Sequence, residues 1–297
     1  MPIKRGFTSY QLKIFAVVFM TLDHLQRALK STRAFDLWEY SGYIWQLGRI
    51  AAPLFCFLLA ESARHTRDRK NFLLRLYIAG LLAAIFATLA NIPMIRFFNT
   101  GSAFAGGMFF TLFFTVLHSY LIEGMVNSLR TRSFGNFAKN LSLFVFSFLP
   151  TIFYIGEPSL FELLKDLVCS KAADRFMASF LYTNVFETLF PSPLMVEYSY
   201  VFVIMGICFY FAKEKRRMCG IFVGFCAFCY FSARLNIGIF QGFYGIGDQH
   251  YMILALPLML LYNGMRGKEH KAFFYIYYPT HYFILMALSE SLNKFFT

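Results

Sequence analysis

Nine apolar stretches divide this sequence, at residues 10–29, 41–60, 72–92, 104–124, 141–156, 197–212, 218–235, 249–263 and 272–290, with short basic segments between them. A hydrocarbon core about 30 Å thick needs roughly 20 apolar helical residues to cross it, fewer where flanking residues help. Backbone polar groups in lipid must pair within the protein, so stretches of this kind fold as helices. The pattern predicts an all-α, polytopic helical membrane bundle of about nine spans, within a range of eight to ten. Composition agrees: 58% of the 297 residues are hydrophobic and 15% charged, at a mean hydropathy of +0.53. A chain so composed has too little polar cover for one water-facing core. Its 40 Phe and 18 Tyr suit lipid-facing and interfacial packing.

The net charge of +12 raises the question of nucleic acid. The basic residues, however, form short clusters between apolar runs, whereas a phosphate-tracking surface needs a continuous basic face. No nucleic-acid partner is expected; the lipid bilayer is. With nine spans and a cytoplasmic N-terminus, the inside segments carry Lys4, Arg5, Lys13, Arg64, Arg67, Arg69, Lys70, Arg130, Arg132, Lys139, Lys213, Lys215, Arg216, Arg217, Arg266, Lys268 and Lys271. The outside segments carry about half as many, among them Arg27, Lys30, Arg33 and Arg96. That bias follows the positive-inside rule and fixes the orientation. A tenth span at 176–190 would place the KEKRR cluster outside, so residues 157–196 are expected as an external amphipathic or re-entrant excursion from a single transmembrane domain covering 1–297. Asp23 and His24 interrupt the first stretch, which reads as a retained helix and not a cleaved signal. Cys226 and Cys229 form a CxxC with no second pair to complete a zinc site, so the six cysteines are expected as buried free thiols and no metal site is assigned.

Ionisable residues inside spans are costly and ask for a reason. In FMTLDHLQRAL, Asp23 and His24 place a carboxylate beside an imidazole, a pairing suited to a catalytic base. The structural alternative pairs Asp23 with Arg27 at i+4 and leaves His24 bonded to a neighbouring helix. Arg49 opens the second span, ahead of Pro53, and either pairs with a carboxylate such as Asp23 or meets an anionic substrate group. Glu61, Arg64, His65, Arg67, Arg69, Lys70 and Arg75 form a cytoplasmic cluster that either anchors topology against anionic lipid or grips a phosphate-rich ligand. His281 lies mid-span, two residues after Pro279; Asp248 and His250 open the eighth span. His118 and Glu123, at i and i+5, do not share a helix face, and His118 reads as structural.

Several of these residues lie in longer motifs: LDH in the first span, GRIAAPLFCFLLAESARHTRDRKNFLLRL at 48–76, NIPM at 91–94, FFT at 109–111 and DQHYMILALPLMLLYNGMRGKEHKAFFYIYYPTH at 248–281. In content and order these resemble the TraX family of bacterial membrane proteins, over both ends of the chain. The matching residues are Asp23, His24, Arg49, Pro53, Glu61, His65, Arg69, Arg75, Asn263, Gly264, Arg266, Gly267, Pro279 and His281. Gln26 departs from the family pattern, in which a glycine tends to follow DH at two residues. The resemblance implies a multi-pass acetyltransferase of the bacterial inner membrane, the family's namesake being an enzyme that acetylates the N-terminal amine of a conjugative pilin. It also implies acetyl-CoA as the acyl donor and an envelope protein or glycan as the acceptor. On that basis His24, Asp23, His281 and Arg49 are the expected catalytic group. Arg64, His65, Arg67, Arg69, Lys70, Arg75, Arg266 and Lys268 are the expected contacts for the acyl-CoA phosphates. Transfer to a surface glycan or lipid, a proton-coupled transporter and a scaffold subunit of an envelope assembly remain as rival readings.

Overall fold

The computed structural model describes residues 5–30, 38–98, 108–155, 158–172, 174–235, 249–268 and 271–296. Those residues are helical throughout, apart from turns and one isolated bridge between Phe7 and Tyr262. The helices are α1 (Ser9–Lys30), α2 (Trp38–Gly48), α3 (Ala51–His65), α4 (Arg69–Phe98), α5 (Met108–Arg130) and α6 (Phe134–Phe146), then α7 (Leu160–Cys169), α8 (Arg175–Leu189), α9 (Ser199–Ala212), α10 (Lys215–Arg234), α11 (Leu256–Leu260) and α12 (Lys271–Phe296). Short 3-10 turns occupy Leu149–Tyr154 and Gln249–Ala255.

Each of the nine apolar stretches carries a helix. Among the described residues, four helical stretches are long and apolar enough to cross a membrane: Tyr43–His65, Arg69–Leu89, Met108–Arg130 and Phe134–Tyr154. Ser199–Ala212 and Gln249–Leu260 are apolar but shorter. The second begins in 3-10 geometry and meets Pro257 at the start of α11. The surface of α4 carries an apolar stripe, with Leu74, Ile78, Leu82, Ile85 and Leu89 exposed at helical spacing along more than four turns. In the 157–196 segment, α7 starts on a Ser159 cap that accepts from Glu162 N at 3.2 Å, and α8 on an Asp174 cap that accepts from Met177 N at 2.9 Å. At 15 residues, α8 extends about 22 Å, short of a hydrocarbon core.

The chain forms two compact units. One holds Met1–Thr66, Pro93–Gly101 and Cys208–Thr297, the other Arg67–Ile92 and Ser102–Ile207. In the first, α1 packs on α2, α3 and α12, and the 3-10 turn at Gln249–Ala255 packs on α2, α3, α10 and α11. Helix α3 is its centre, buried on nearly every face from Ala51 to Ala63. In the second unit α5 packs on α6, and α7 on α8; its apolar core of Phe110, Phe114, Val196 and Val203 is covered by Tyr77, Leu81 and Ala84 of α4 and by Tyr200 and Ile207 of α9. All six cysteines are unpaired; five are buried and Cys208 is half-buried.

The break between α2 and α3 matters for the site. Pro53 has no N–H to offer the Arg49 carbonyl four residues back, and its ring crowds that carbonyl in a continuous helix. The chain instead turns through Arg49 and Ile50, whose amides donate to the Gln46 and Leu47 carbonyls in i to i+3 bonds of 3.2 and 3.1 Å. Pro53 then falls in the first turn of α3, where a missing N–H leaves no gap. Gly48 lets the break approach α1: a Cβ there would stand 2.4 Å from Asp23 Cβ.

Candidate functional site

Neighbours on a helix point about 100° apart, so α1 turns Asp23 and His24 toward different partners. Asp23 meets the α2–α3 break, where Arg49 Nη2 donates to its Oδ1 at 2.9 Å. Both side chains are about 95% buried, and the Trp45 ring lies 4.7 Å from the Arg49 guanidinium carbon. A buried ion pair of this kind is held by its geometry; removing one partner strands the other charge. His24 faces α12 and lies 2.7 Å from His281, Nδ1 to Nε2.

The direction of that hydrogen bond follows from its neighbours. His281 Nδ1 lies 2.9 Å from the Tyr277 carbonyl, which can only accept, so Nδ1 carries the proton and Nε2 the lone pair. His24 Nδ1–H must then be the donor, which leaves the lone pair of the neutral His24 ring on Nε2. Phe273 stacks on Tyr277 at 5.2 Å and Tyr277 on His281 at 5.1 Å, and the His24 ring, its centroid 4.9 Å from that of His281 and its plane within 16° of it, meets His281 edge to edge through the hydrogen bond. Thr21 Oγ1 donates to the Val17 carbonyl at 2.7 Å and accepts from the Tyr277 hydroxyl at 2.6 Å, which fixes Tyr277 to α1. One imidazole is thus oriented by another, with the ring nitrogen that carries the lone pair defined.

The basic candidates divide between the units. In the first, Arg64 donates to the Phe209 and Tyr210 carbonyls at 2.7 and 3.2 Å, at the C-terminal end of α9, and touches Met218 Sδ at 3.7 Å. Its guanidinium is an anchor for that helix end. Glu61 accepts from the Tyr262 hydroxyl, and His65, Arg266 and Lys268 are exposed. The loop that carries Arg266 clamps the start of α1: Ser9 N and Tyr10 N donate to the Met265 and Arg266 carbonyls, and Asn263 Nδ2 to Gly6 O. Asn263 Oδ1 accepts from Met265 N in the same turn, and Gly264 and Gly267 adopt φ of 77° and 75°, a region open to glycine. In the second unit Arg69 pairs with Glu123 at 2.6 Å over the Tyr120 ring, Arg75 lies over Phe72, and Arg67 and Lys70 are exposed. Buried His118 bonds Ser147 Oγ at 2.8 Å and the Tyr200 hydroxyl at 3.0 Å, a satisfied histidine inside an aromatic cluster. His250 packs on Tyr230 and Tyr251; Asp248 and Arg33 lie outside the described residues.

A family profile described as "TraX protein" matches residues 8–133 and 160–289. The chain belongs to the TraX family. The match reaches well beyond the motif-rich ends of the sequence and includes every candidate residue named above. With its long apolar helices, this TraX-family chain is a membrane protein. It is also 35% identical over 80 residues to a protein of Dichelobacter nodosus described as "Probable fimbrial assembly protein FimC, serogroup H1"; the alignment covers 27% of this chain and 31% of that protein. No solved structure matches.

The structure joins all four residues expected to be catalytic into two pairs, Asp23 with Arg49 and His24 with His281. It adds Tyr277, Thr21 and Trp45. The i−4 spacing of Tyr277 from His281 was the sequence signal for the first; Thr21 and Trp45 carry none that separates them from ordinary helix residues.

Proposed function

We propose that this chain is an integral membrane acetyltransferase that moves an acetyl group from acetyl-CoA to the N-terminal amine of a fimbrial or pilin-type subunit. The observation that carries the reading is the His24–His281 hydrogen bond, whose sense places a lone pair on His24 Nε2. Family membership and the fimbrial assembly relative support the choice of acceptor.

In the proposed reaction His24 Nε2 takes a proton from the acceptor amine as its nitrogen bonds to the acetyl carbonyl carbon. The tetrahedral adduct collapses, the carbon–sulfur bond breaks, and the proton on His24 passes to the leaving thiolate. The products are the N-acetylated chain and free CoA, and His24 is neutral again. His281 holds the imidazole in the working tautomer; the Asp23–Arg49 pair fixes α1 against the α2–α3 break. Arg266, Lys268 and His65 are the proposed contacts for the CoA phosphates. Guanidinium and ammonium groups suit that role. From Tyr10, bonded to the Arg266 carbonyl, to His24 is 14 residues of helix, about 21 Å, which is the reach asked of the pantetheine arm.

The test is incubation of the purified protein in detergent with radiolabelled acetyl-CoA and two peptides, one with a free N-terminal amine and one blocked there by formylation. Label on the free-amine peptide alone is the expected result. Label on lipid or glycan from the same membranes, with none on the peptide, would replace the protein acceptor.

A further inference from the structure

Two polar atoms beside the ion pair have no partner. Arg49 Nε and Gln26 Oε1 are enclosed in the protein without a hydrogen bond, on side chains 6% and 7% exposed. Nearly all buried polar groups in folded proteins are paired, so these two orphans ask for an explanation. They are opposite in sense: Nε–H donates only, and Oε1 accepts only. Asp23 connects them. Gln26 follows Asp23 by three residues, less than one turn of α1, and Arg49 is bonded to Asp23. Asp23 and Trp45 hold the guanidinium in place, so its remaining Nε–H is a fixed donor.

A peptide group has the matching inventory, one carbonyl acceptor and one N–H donor. We propose that Arg49 Nε–H and Gln26 Oε1 recognise a backbone peptide group of the acceptor chain. The inference rests on the acetyl-transfer reading and deepens it. His24 lies on the adjoining flank of α1, so a chain whose amine sits at His24 lays its next peptide groups along the Asp23 flank. The pair selects a polypeptide N-terminus over a free amino acid or a simple amine, and Gln26 is a specificity residue that makes no bond to the reacting atoms.

The test compares a free-amine peptide with its depsipeptide, in which the leading backbone N–H is replaced by an ester oxygen, on the wild-type protein, Gln26→Leu and Gln26→Met. The wild type should acetylate the amide peptide at least about tenfold faster in kcat/KM, the size of one lost hydrogen bond to a buried group. Both variants should narrow that preference to within about twofold. An undiminished preference in both variants, or none in the wild type, overturns the subsite while leaving acetyl transfer in place. If the wild type acetylates neither peptide, the reading beneath fails, and the subsite is then decided by binding. Thermal protection of the wild type by the amide peptide, absent in Gln26→Leu and Gln26→Met, upholds the subsite; no protection of the wild type, as when an enclosed water serves these atoms, overturns it.

Discussion

At the residue scale the ion pair and the histidine pair make different demands. Asp23→Asn or Arg49→Met alone leaves a buried group uncompensated, and each should cost about 3–5 kcal/mol in unfolding measured in detergent. The double variant Asp23→Leu/Arg49→Met should recover most of that loss, because both charges then leave together. His281→Asn removes the ring nitrogen that accepts from His24, and transfer should fall about tenfold to a hundredfold with little change in acceptor KM. The double change Arg266→Ala/Lys268→Ala should raise the KM for acetyl-CoA by roughly tenfold at unchanged kcat, the weight of a charge-assisted contact. An arginine and an aspartate inside apolar stretches were conspicuous in the sequence because each is costly there, and their pairing across 26 residues was one of two partnerships the sequence left open. Which nitrogen of His24 holds its lone pair was not legible at all. It depends on a carbonyl of Tyr277 brought close by the packing of α12 on α1.

At the element scale, the α2–α3 break and the start of α4 set local geometry through single residues. Gly48→Ala puts a methyl group 2.4 Å from Asp23 Cβ, both on backbones that cannot retreat, so it should destabilise the first unit and weaken the Asp23–Arg49 pair together. The start of α4 is capped by exposed Asp68, which accepts from Asn71 N at 3.1 Å and from the Asn71 amide. Those hydrogen bonds, with Arg75 and Lys70 nearby, hold its carboxyl below the usual carboxylate range. Its capping contribution is therefore complete above the ordinary aspartate value near pH 4 and lost as pH falls through the lowered one. Amide protection factors in the first turn of α4, taken relative to intrinsic exchange at each pH, should fall below about pH 4 in the wild type and be largely flat over that range in Asp68→Ser, which caps without a charge. The apolar stretches located the helices well because periodicity and length are local properties. Their ends were less legible: Arg64 looked like a ligand for phosphate, and only the fold shows it spent on the carbonyls that close α9.

At the scale of the whole molecule, the apolar stretches and basic loops gave the class, an all-helical membrane protein, and among the described residues four helical stretches meet the length and hydropathy of a full span. Helix length and hydropathy are separate requirements. Hydropathy counts apolar residues, whereas crossing a bilayer requires an uninterrupted helix, and Pro257 and the 3-10 turn before it shorten one stretch where hydropathy alone continues. The candidate site lies wholly in the unit that contains α1, α3 and α12, with His24, His281, Asp23 and Arg49 drawn from segments as far apart as residues 23 and 281. Such long-range juxtaposition is invisible to motif spacing, and the two long motifs carried it only by belonging to one family. The central claim, that His24 is the base of an acetyl transfer, is tested most directly by single-turnover transfer from labelled acetyl-CoA to a free-amine peptide, comparing the wild type with a His24→Ala variant shown to be folded by its thermal transition. The account predicts a rate lower by about a hundredfold to ten-thousandfold in the variant; an undiminished rate in a folded His24→Ala protein would contradict it.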